Sequence, residues 1–356
     1  MSYQKFLHVG LALDPIHVGT GGARIGRVDL SIVRDPVTRV PKIPGSSLAG
    51  VYRTYVAMEE TNAQPNRSVG GAPWPYYPHC AGLGQARGSY RGHCAQPDCP
   101  VCVVFGFARG RDQAGGFAGL AAFSDAHVLL FPVPTRQGPH WVTCPMALRT
   151  VGVEVAGIDQ DAVYLENAGS NPLNLGWLLL PAQPCPQLSG LKGQLSQWGV
   201  PDYVRNRIAL LPDRLFVQVV NSNLEVRTSV SINPETGAAE EGALFSYEAL
   251  PRTTVLGWEV IAKNPQHFKI DGRDINLIKG QHQNTPQAVH EVVKQAHPYL
   301  EHLGVGGMGH RGMGRLKVLY AGDPLPSPLS IECGGTASAT ANEGSASQVG
   351  EGRHAG

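Results

Sequence analysis

Residues 13–53 combine glycines, one loop carboxylate and several basic side chains in an order that suits a polyanion. Gly19 and Gly21 can adopt positive φ, which lets a ligand backbone approach closely. A loop then carries Asp29, and the Gly45-Ser46-Ser47 sequence leaves backbone N–H groups at a helix N-terminus, which suits a phosphate. The stretch therefore predicts a polyanion-binding surface with one acid placed in it. Its basic residues are Arg24, Arg27, Arg34, Lys42 and Arg53.

A Cys-x4-Cys-x2-Cys pattern within residues 62–116 has knuckle-like spacing for a metal. In a chain without a secretory signal, such bunched cysteines predict metal binding before disulfides. A fourth ligand would complete a tetrahedral structural Zn²⁺ site with no open position for catalysis. Such a site would also stabilise this long segment, whose sequence shows no regular hydrophobic periodicity. The expected ligands are Cys80, Cys94, Cys99 and Cys102, with His93 or His79 as alternatives to Cys80.

The composition predicts a globular protein that binds charged partners through local clusters. Of the 356 residues, 42% are hydrophobic and 16% are charged, and the net charge is +1. A nucleic acid would therefore be held by local basic groups and not by a global field. The first residues lack the pattern of a signal peptide, and no apolar run is long enough to cross a membrane. We expect a cytoplasmic protein without a membrane partner.

The apolar patterns predict β-α-β units. A helix beginning near Ser46 has one apolar face, and a second helix begins at Pro286. Residues 224–258 alternate around a turn at residues 233–237, as in a long β-hairpin. A glycine-rich loop at residues 303–315 precedes the last strand. The predicted strands are residues 4–13, 120–133, 215–220 and 316–320.

This order of elements favours an α+β fold. It fits two ferredoxin-like βαββαβ halves, or one such unit with large insertions. Neither glycine-rich loop has the spacing of a dinucleotide fingerprint, and neither contains the Gly-Lys-Ser/Thr of a nucleotide P-loop. Residues 323–356 are rich in Pro, Ser, Gly, Ala and Thr, which predicts a disordered tail.

An ordered set of short motifs, spread over residues 1–320, resembles the RAMP proteins of type III CRISPR effector complexes. The stretch from Gly242 to Pro251 is similar to the backbone subunit of the Cmr branch in particular. The cysteine cluster resembles that of the zinc-bearing relatives. The other motifs are Gly19-Thr20-Gly21 with Asp29, Ile43-Pro44-Gly45-Ser46-Ser47-Leu48 with Arg53, Cys102-Val103-Val104-Phe105-Gly106 leading to Phe123-Ser124-Asp125-Ala126, and the loop from Gly306 to Gly314.

The resemblance implies an RRM-like (ferredoxin-like) RAMP core with a zinc-binding insertion and a protruding β-hairpin thumb. The thumb is expected to wedge between bases of the guide–target duplex. The implied boundaries are residues 1–61 and 117–220 for the first part of the core, 62–116 for the zinc insertion, 221–260 for the thumb, 261–322 for the last part of the core with its glycine-rich loop, and 323–356 for the tail.

The resemblance also implies a role in antiviral defence. Several copies would bind a CRISPR RNA side by side in a ribonucleoprotein complex, and the target RNA would be cleaved by an endonuclease that depends on Mg²⁺ or Mn²⁺. The implied partners are CRISPR RNA, single-stranded target RNA, other copies or related RAMP subunits, a large polymerase/cyclase-like subunit and a small helical subunit.

Individual residues match positions of the family's site. Asp29 matches the cleaving aspartate and His17 a histidine near it, while Tyr247 and Glu248 are expected to reach the site of a neighbouring copy from the thumb. Phe245 is expected to act as an apolar wedge. The residues implied in RNA binding are Gly19, Gly21, Arg24, Arg27, Arg34, Lys42, Ser46, Ser47, Arg53, Phe245, Gly307, His310, Arg311 and Arg315.

Two other readings fit the residues. The chain could be a non-catalytic backbone subunit that holds guide RNA and only positions the target. It could also be a zinc-stabilised protein outside CRISPR altogether. Co-purification of short RNA of uniform length separates the last reading from the first two. For Asp29 by itself, the alternative to catalysis is a capping or salt-bridged residue beside Arg27 or Arg34.

Overall fold

A computed structural model describes residues 1–21, 28–82, 92–108, 115–240 and 243–334 of the chain. None of the helices in these ranges is both long and apolar enough to cross a membrane. Short 3₁₀ turns occur at Pro265–His267 and Gly309–Arg311. The α-helices are α1 (Gly45–Ala63), α2 (Pro100–Phe105), α3 (Pro145–Arg149), α4 (Leu188–Gln197), α5 (Asp202–Arg205), α6 (Asp213–Ser222), α7 (Pro286–Lys294) and α8 (His297–His302).

The strands form one large mixed sheet and several two-stranded ribbons. In chain order they are β1 (Tyr3–Ala12), β2 (Lys42–Ile43), β3 (Ser68–Val69), β4 (Ala72–Pro73), β5 (Ala121–Phe123), β6 (Ala126–Val133), β7 (His140–Thr143), β8 (Val153–Ala156), β9 (Val163–Leu165), β10 (Leu173–Leu175), β11 (Leu178–Leu180), β12 (Ala182–Pro184), β13 (Ile208–Leu210), β14 (Glu225–Ser229), β15 (Phe245–Ala249), β16 (Val255–Lys263), β17 (Lys269–Ile270), β18 (Arg273–Asp274), β19 (Ile278–Lys279), β20 (His282–Gln283), β21 (Leu316–Gly322) and β22 (Leu329–Glu332).

The core of the large sheet is a ferredoxin-like βαββαβ unit. Strands β21, β1, β16 and β6 lie side by side in that order, and each neighbouring pair is antiparallel. Helix α1 connects β1 to the β6 side, and α7 lies between β16 and β21 in the chain. This topology confirms the expected α+β, ferredoxin-like core, in the form of one unit with large insertions.

Side chains of β1 alternate between the two faces of the sheet and pack on both. Phe6 belongs to the core cluster that also contains the apolar faces of α1 and α7. Leu7, Val9 and Leu11 point to the opposite face and pack in a second cluster with α4. Because successive residues of a strand face opposite sides, one apolar strand can serve two layers of packing.

The sheet continues beyond β6 through β7, β13, β9 and β12. Helix α4 covers this extension with Leu188, Leu191 and Leu195, which recur at helical spacing and are all buried. The predicted helix starts are also confirmed, since α1 begins at Gly45 and α7 at Pro286, where the Thr285 hydroxyl accepts a hydrogen bond from the Ala288 N–H.

Two predicted elements differ in the structure. Residues 215–220, expected as a strand, lie inside helix α6, because a short apolar run does not distinguish a strand from a buried helical face. The hairpin expected over residues 224–258 is shorter, since β14 pairs with β15 only, and β16 is a central strand of the core. We therefore use "thumb" for residues 225–249, the β14–β15 hairpin with its turn.

The prediction of a disordered tail is wrong for residues 323–334. Strand β22 pairs in parallel with β8, Ile331 is buried, and Cys333 forms a disulfide with Cys185. Residues 323–334 are therefore ordered, although their small and polar composition resembles that of a linker. Residues 335–356 lie outside the described residues. This disulfide was not predicted, because Cys185 and Cys333 are 148 residues apart and belong to no bunched pattern.

A buried histidine cluster lies between the sheet and α7 and α8. The Nε2 atoms of His8 and His290 are 3.4 Å apart, and the His8 and His297 rings meet edge to face at 5.4 Å. Burial lowers the pKa of all three, to about 3 for His290 and His297, and the nearby Lys294 ammonium adds to this effect. The folded protein therefore keeps these histidines neutral near pH 7.

This cluster predicts acid-sensitive stability. The unfolded chain protonates its histidines below about pH 6.5, whereas the folded chain does not, so the free energy of unfolding falls as pH decreases. At pH 5 the three residues together should contribute a slope of about 4 kcal/mol per pH unit. Urea unfolding between pH 7 and pH 4.5 measures it.

The substitution His290→Gln should reduce this slope by about 1.4 kcal/mol per pH unit, because the unfolded variant binds one proton fewer. The matched control is His302→Gln, since His302 is exposed. Equal slopes in both variants would show that His290 does not titrate on unfolding.

Candidate functional site

The loop after β1 and the glycine-rich loop before β21 meet in space, as the sequence analysis required. The Gly307 N–H donates to the His17 carbonyl at 2.8 Å, and the Gly314 N–H to the Pro15 carbonyl at 2.9 Å. Gly306 has φ +86°, and a Cβ atom there would lie 2.3 Å from the His17 carbonyl oxygen. Only glycine permits this approach of the two loops.

The thumb joins the same place through its returning strand, β15. The Leu30 N–H donates to the Ser246 carbonyl at 3.1 Å, and the Glu248 N–H donates to the Leu30 carbonyl at 3.0 Å. Ile16 and Leu250 exchange two further backbone bonds, each of 2.9 Å. The loop that carries Asp29 therefore pairs with β15 through backbone hydrogen bonds, as a short additional strand would.

Asp29 is exposed and is held at the thumb by one residue. Its Oδ2 accepts hydrogen bonds from the Ser246 N–H at 2.7 Å and from the Ser246 hydroxyl at 2.9 Å. These donors hold the pKa of the Asp29 carboxyl below its usual range. Both Ser246 bonds go to Oδ2, so they leave Oδ1 unused.

His17 and Tyr247 lie beneath this surface. His17 is buried, its Nδ1 is 2.6 Å from the Glu248 carbonyl oxygen, and its ring meets that of Tyr247 edge to face. The two rings thus fasten the loop after β1 to the thumb. An acid–base role for His17 stays a prediction.

Glu248 forms an internal ion pair. Its Oε2 accepts a hydrogen bond from Arg34 Nη2 at 2.8 Å, and both side chains are largely buried. Arg34 also donates to Asn221 at 2.8 Å. Tyr247 and Glu248 were expected to reach a neighbouring copy, and Arg34 was expected to line the guide. The structure instead places all three inside their own chain, because the Asp29 loop packs on β15.

Other predicted guide-binding residues also have internal partners. Lys42 pairs with Asp125 at 2.6 Å and with Asp35 at 3.5 Å, and the Asp125 hydrogen bond raises the pKa of Lys42. Arg315 donates to both oxygens of Asp14, at 2.5 and 3.1 Å. Each of these cations is neutralised locally, so its attraction for a polyanion is reduced.

The entry of α1 is likewise occupied. The Gly45 N–H donates to Asp125 Oδ1 at 2.8 Å, and the Ser47 N–H donates to the Pro44 carbonyl at 2.9 Å. A Cβ atom on Gly45 would lie 2.4 Å from the Phe123 carbonyl oxygen. A carboxylate therefore takes the position that we expected a phosphate to fill at Ser46 and Ser47.

His310 and Arg311 are exposed on the glycine-rich loop, as a guide-binding role requires. The Arg311 guanidinium lies 5.4 Å from the centre of the Phe245 ring and donates to the Ser229 hydroxyl at 3.2 Å. Phe245 packs with Tyr247 in a small apolar cluster at the root of the thumb. The glycine-rich loop and the thumb thus present an arginine stacked on an aromatic ring.

The remaining predicted positions fall into two groups. Gly19 and Ile32 form an isolated bridge that closes the Asp29 loop, and Gly21 has φ +75° with open space around it. Arg24 and Arg27 lie outside the described residues. Sequence reasoning missed Ser246 and gave Asp125 no role. Both residues stand in motifs of the resemblance, but the contact of Ser246 with Asp29 depends on long-range packing, which the sequence does not reveal.

The four cysteines expected as zinc ligands are brought together. The sulfurs of Cys80, Cys94, Cys99 and Cys102 lie within 4.8 Å of one another and are buried. Tetrahedral Zn²⁺ with Zn–S bonds of about 2.3 Å places its sulfurs about 3.8 Å apart. The Cys94 and Cys102 sulfurs are 3.7 Å apart, so the geometry fits. Cys80 is favoured as the fourth ligand over His79 and His93.

The surroundings fit the charge of a four-cysteine zinc site. Zn²⁺ with four thiolates carries a net charge of −2. Arg67 Nη2 donates to the Cys94 sulfur at 3.1 Å. Arg53, on α1, lies beside Cys102 and Cys80 and donates to the Phe105 and Gly106 carbonyls. Two guanidinium groups therefore offset the charge. Arg53 faces this cluster, although it was expected to face the guide.

The sequence profile of the RAMP superfamily matches residues 11–317. The chain therefore belongs to the RAMP superfamily. The resemblance that the motifs indicated is confirmed at this level.

The relatives specify the branch. The CRISPR system Cmr endoribonuclease Cmr4 of Pyrococcus furiosus is 24% identical over 292 residues, which cover 76% of this chain and 85% of that protein. The CRISPR system Cms endoribonuclease Csm3 of Methanothermobacter thermautotrophicus is 31% identical over 110 residues, which cover 31% of this chain and 32% of that protein. The expected similarity to the Cmr branch is thus confirmed. A zinc protein unrelated to CRISPR has no support from these matches.

Solved structures show the same fold. A chain from the type III-B Cmr-beta complex bound to cognate target RNA superimposes with a TM-score of 0.57 at 15% identity, over 90% of this chain and 99% of that chain. The crystal structure of Cmr4 gives 0.53 at 19% identity, over 90% and 100%. At these identities the likeness is one of fold.

The cysteine cluster predicts one zinc ion per chain. The substitution Cys80→Ala should remove most of the bound zinc and lower the midpoint of thermal unfolding, because a site with three ligands binds more weakly and the segment loses its cross-link. Zinc content by mass spectrometry and a thermal scan measure this. The control Cys144→Ala removes a buried cysteine outside the cluster and should leave zinc at one per chain.

The ion pair between Arg34 and Glu248 predicts strong coupling. Removing one partner of a largely buried pair leaves the other charge unpaired, so Glu248→Leu should lower the free energy of unfolding by about 3 kcal/mol. The double variant Arg34→Met/Glu248→Leu should recover much of that loss. Urea unfolding of both single variants and the double variant tests this, and additive losses would show that the pair is not coupled.

Proposed function

We propose that this chain is the backbone subunit of a type III CRISPR effector that binds CRISPR RNA and cleaves guide-complementary target RNA at Asp29. The observation that carries the proposal is the position of Asp29, an exposed carboxylate at the junction of the two glycine loops and the thumb. The names of the Cmr4 and Csm3 relatives, both endoribonucleases, support the same activity.

The guide-binding surface is narrower than the sequence indicated. Its centre is the glycine-rich loop with Gly307, His310 and Arg311, because the other described arginines of the predicted set have internal partners. The planar guanidinium of Arg311 suits phosphate, and Phe245 beside it offers a face for a base. CRISPR RNA would run along this loop, with target RNA on the side of the thumb.

The Asp29 carboxylate fits a weakly held divalent cation. Mg²⁺ is usually bound by one or two carboxylates together with substrate phosphates, and it keeps several waters. Asp29 would hold Mg²⁺ or Mn²⁺ through Oδ1, the oxygen that does not bond Ser246, and the ion would neutralise charge developing on the cleaved phosphate. The chain itself supplies a fixed carboxylate, through Ser246, and a thumb that separates neighbouring bases of the target.

Cleavage tests the proposal most directly. In Asp29→Asn the side-chain oxygen can still accept hydrogen bonds from Ser246, so the loop stays docked while the charge is lost. We expect target cleavage by the assembled guide complex to slow by about 100-fold or more, with target affinity within about twofold. Single-turnover cleavage with Mg²⁺ and a filter-binding assay measure the two quantities.

The matched control is Asp161→Asn, because Asp161 is exposed and lies in the turn before β9, in contact with Arg214. Cleavage by Asp29→Asn at the rate of this control would disprove the catalytic assignment. Fully retained target binding would then favour the second candidate below.

The second candidate is a backbone subunit that holds guide RNA and positions the target without cutting it. The two Ser246 bonds favour it, because they give Asp29 a structural role that does not require catalysis. In either case we propose further copies of the chain or related RAMP subunits, a large polymerase/cyclase-like subunit and a small helical subunit as partners.

A further inference from the structure

We propose that Ser246 is a positioning residue that aims the Asp29 carboxylate and makes target cleavage depend on the placement of the thumb strand. The inference rests on the proposed function, because it concerns how the cleaving acid is held. Ser246 lies in the Gly242–Pro251 motif, but the sequence analysis gave this residue no role of its own.

The contact between the two residues is reciprocal. Ser246 donates to Asp29 Oδ2 through both its N–H and its hydroxyl, and the Asp29 N–H lies 3.3 Å from the same hydroxyl oxygen. One small side chain therefore binds both the carboxylate and the backbone of the acid. Such bonds fix the rotation of the carboxylate as well as its position, and charge-assisted bonds of this kind are among the stronger ones.

The backbone of Ser246 also faces the acid loop. In the thumb, Ser246 lies opposite Thr228 of β14, but its N–H goes to Asp29 and its carbonyl accepts from Leu30. The thumb strand therefore pairs with the acid loop at this position. A shift of β15 along its axis would move both anchors of Asp29 together.

The Asp29 loop is also fixed at residues 32–34, by contacts that do not involve Ser246. Arg34 and Glu248 form their ion pair there, and the Ile32 N–H is 3.4 Å from the Glu248 carboxylate. Loss of the Ser246 hydroxyl would leave this end docked. The effect of the substitution should thus be confined to the orientation of Asp29, without release of the loop from the thumb.

The thumb is the part expected to contact the guide–target duplex, and its root carries Phe245 next to Ser246. Phe245 is half-buried and packs against Tyr247 beneath the Arg311 guanidinium. A base seated against Phe245 would press on the strand that holds Asp29. Phe245 and Ser246 are adjacent in β15, so a base that displaces Phe245 would also displace the residue that holds Asp29.

The test compares Ser246→Ala and Ser246→Thr in the full chain assembled with guide RNA. Alanine removes the hydroxyl and keeps the backbone bond, while threonine keeps both. We expect Ser246→Ala to slow single-turnover cleavage at saturating target by about tenfold, since small misplacements of a reacting group are costly. Target affinity and the spacing of the cuts should stay unchanged, and Ser246→Thr should cut within about twofold of the natural chain.

The matched control is Ser330→Ala, which removes an exposed serine hydroxyl from β22. The split between an unchanged affinity and a slower rate separates positioning from a general loss of structure, and the thermal midpoint of each variant confirms folding. Weakened target binding in Ser246→Ala, in proportion to its slower cutting, would overturn the inference in favour of a structural role for the hydroxyl.

Including Asp29→Asn separates the two possible failures. If Asp29→Asn abolishes cutting but Ser246→Ala cuts like Ser330→Ala, the positioning inference is wrong and the proposed function stands. If Asp29→Asn cuts normally, the catalytic assignment is wrong, and the inference falls with it.

Discussion

The antiparallel pairing of β1 with both of its neighbours is the constraint on which the site depends. Because β16 and β21 run opposite to β1, the end of β1 lies beside the beginnings of both. The loop that leaves β1, the thumb that precedes β16 and the glycine-rich loop that precedes β21 must therefore meet at one edge of the sheet. Segments more than 200 residues apart in the chain form one surface there. The lack of a side chain at Gly306 lets the glycine-rich loop contact the loop after β1.

The electrostatic character of that surface differs from what the basic residues of the two loops led us to expect. Arg34, Lys42 and Arg315 are paired with carboxylates, and Arg53 lies beside the cysteines. These cations stabilise the loops from within, whereas His310 and Arg311 on the glycine-rich loop are exposed. For a chain of net charge +1, this favours a nucleic acid that is recognised by local geometry over one gathered by a long-range field.

The sequence allowed the ferredoxin-like core, the helix starts and the cysteine site to be predicted, because each rests on local periodicity or spacing. It did not allow the partners of individual charges to be predicted, since the pairing of Arg34 with Glu248 joins residues that only the packed fold brings together. The α6 segment shows another limit, as a six-residue apolar run carries no information on its period. Composition misled at β22, because the Pro- and Ser-rich segment around it contains a short Leu-Ser-Ile-Glu stretch that pairs as a strand.

The disulfide between Cys185 and Cys333 closes a loop of 148 residues that contains the thumb, β16, α7 and the glycine-rich loop. A cross-link of that span restricts the unfolded chain by an amount worth up to about 5 kcal/mol. The oxidised and reduced chains therefore differ in stability, because their unfolded states differ. Protein kept in a reducing cytoplasm and protein purified in air would differ in this way. Any comparison of their stabilities has to hold the thiol–disulfide state constant.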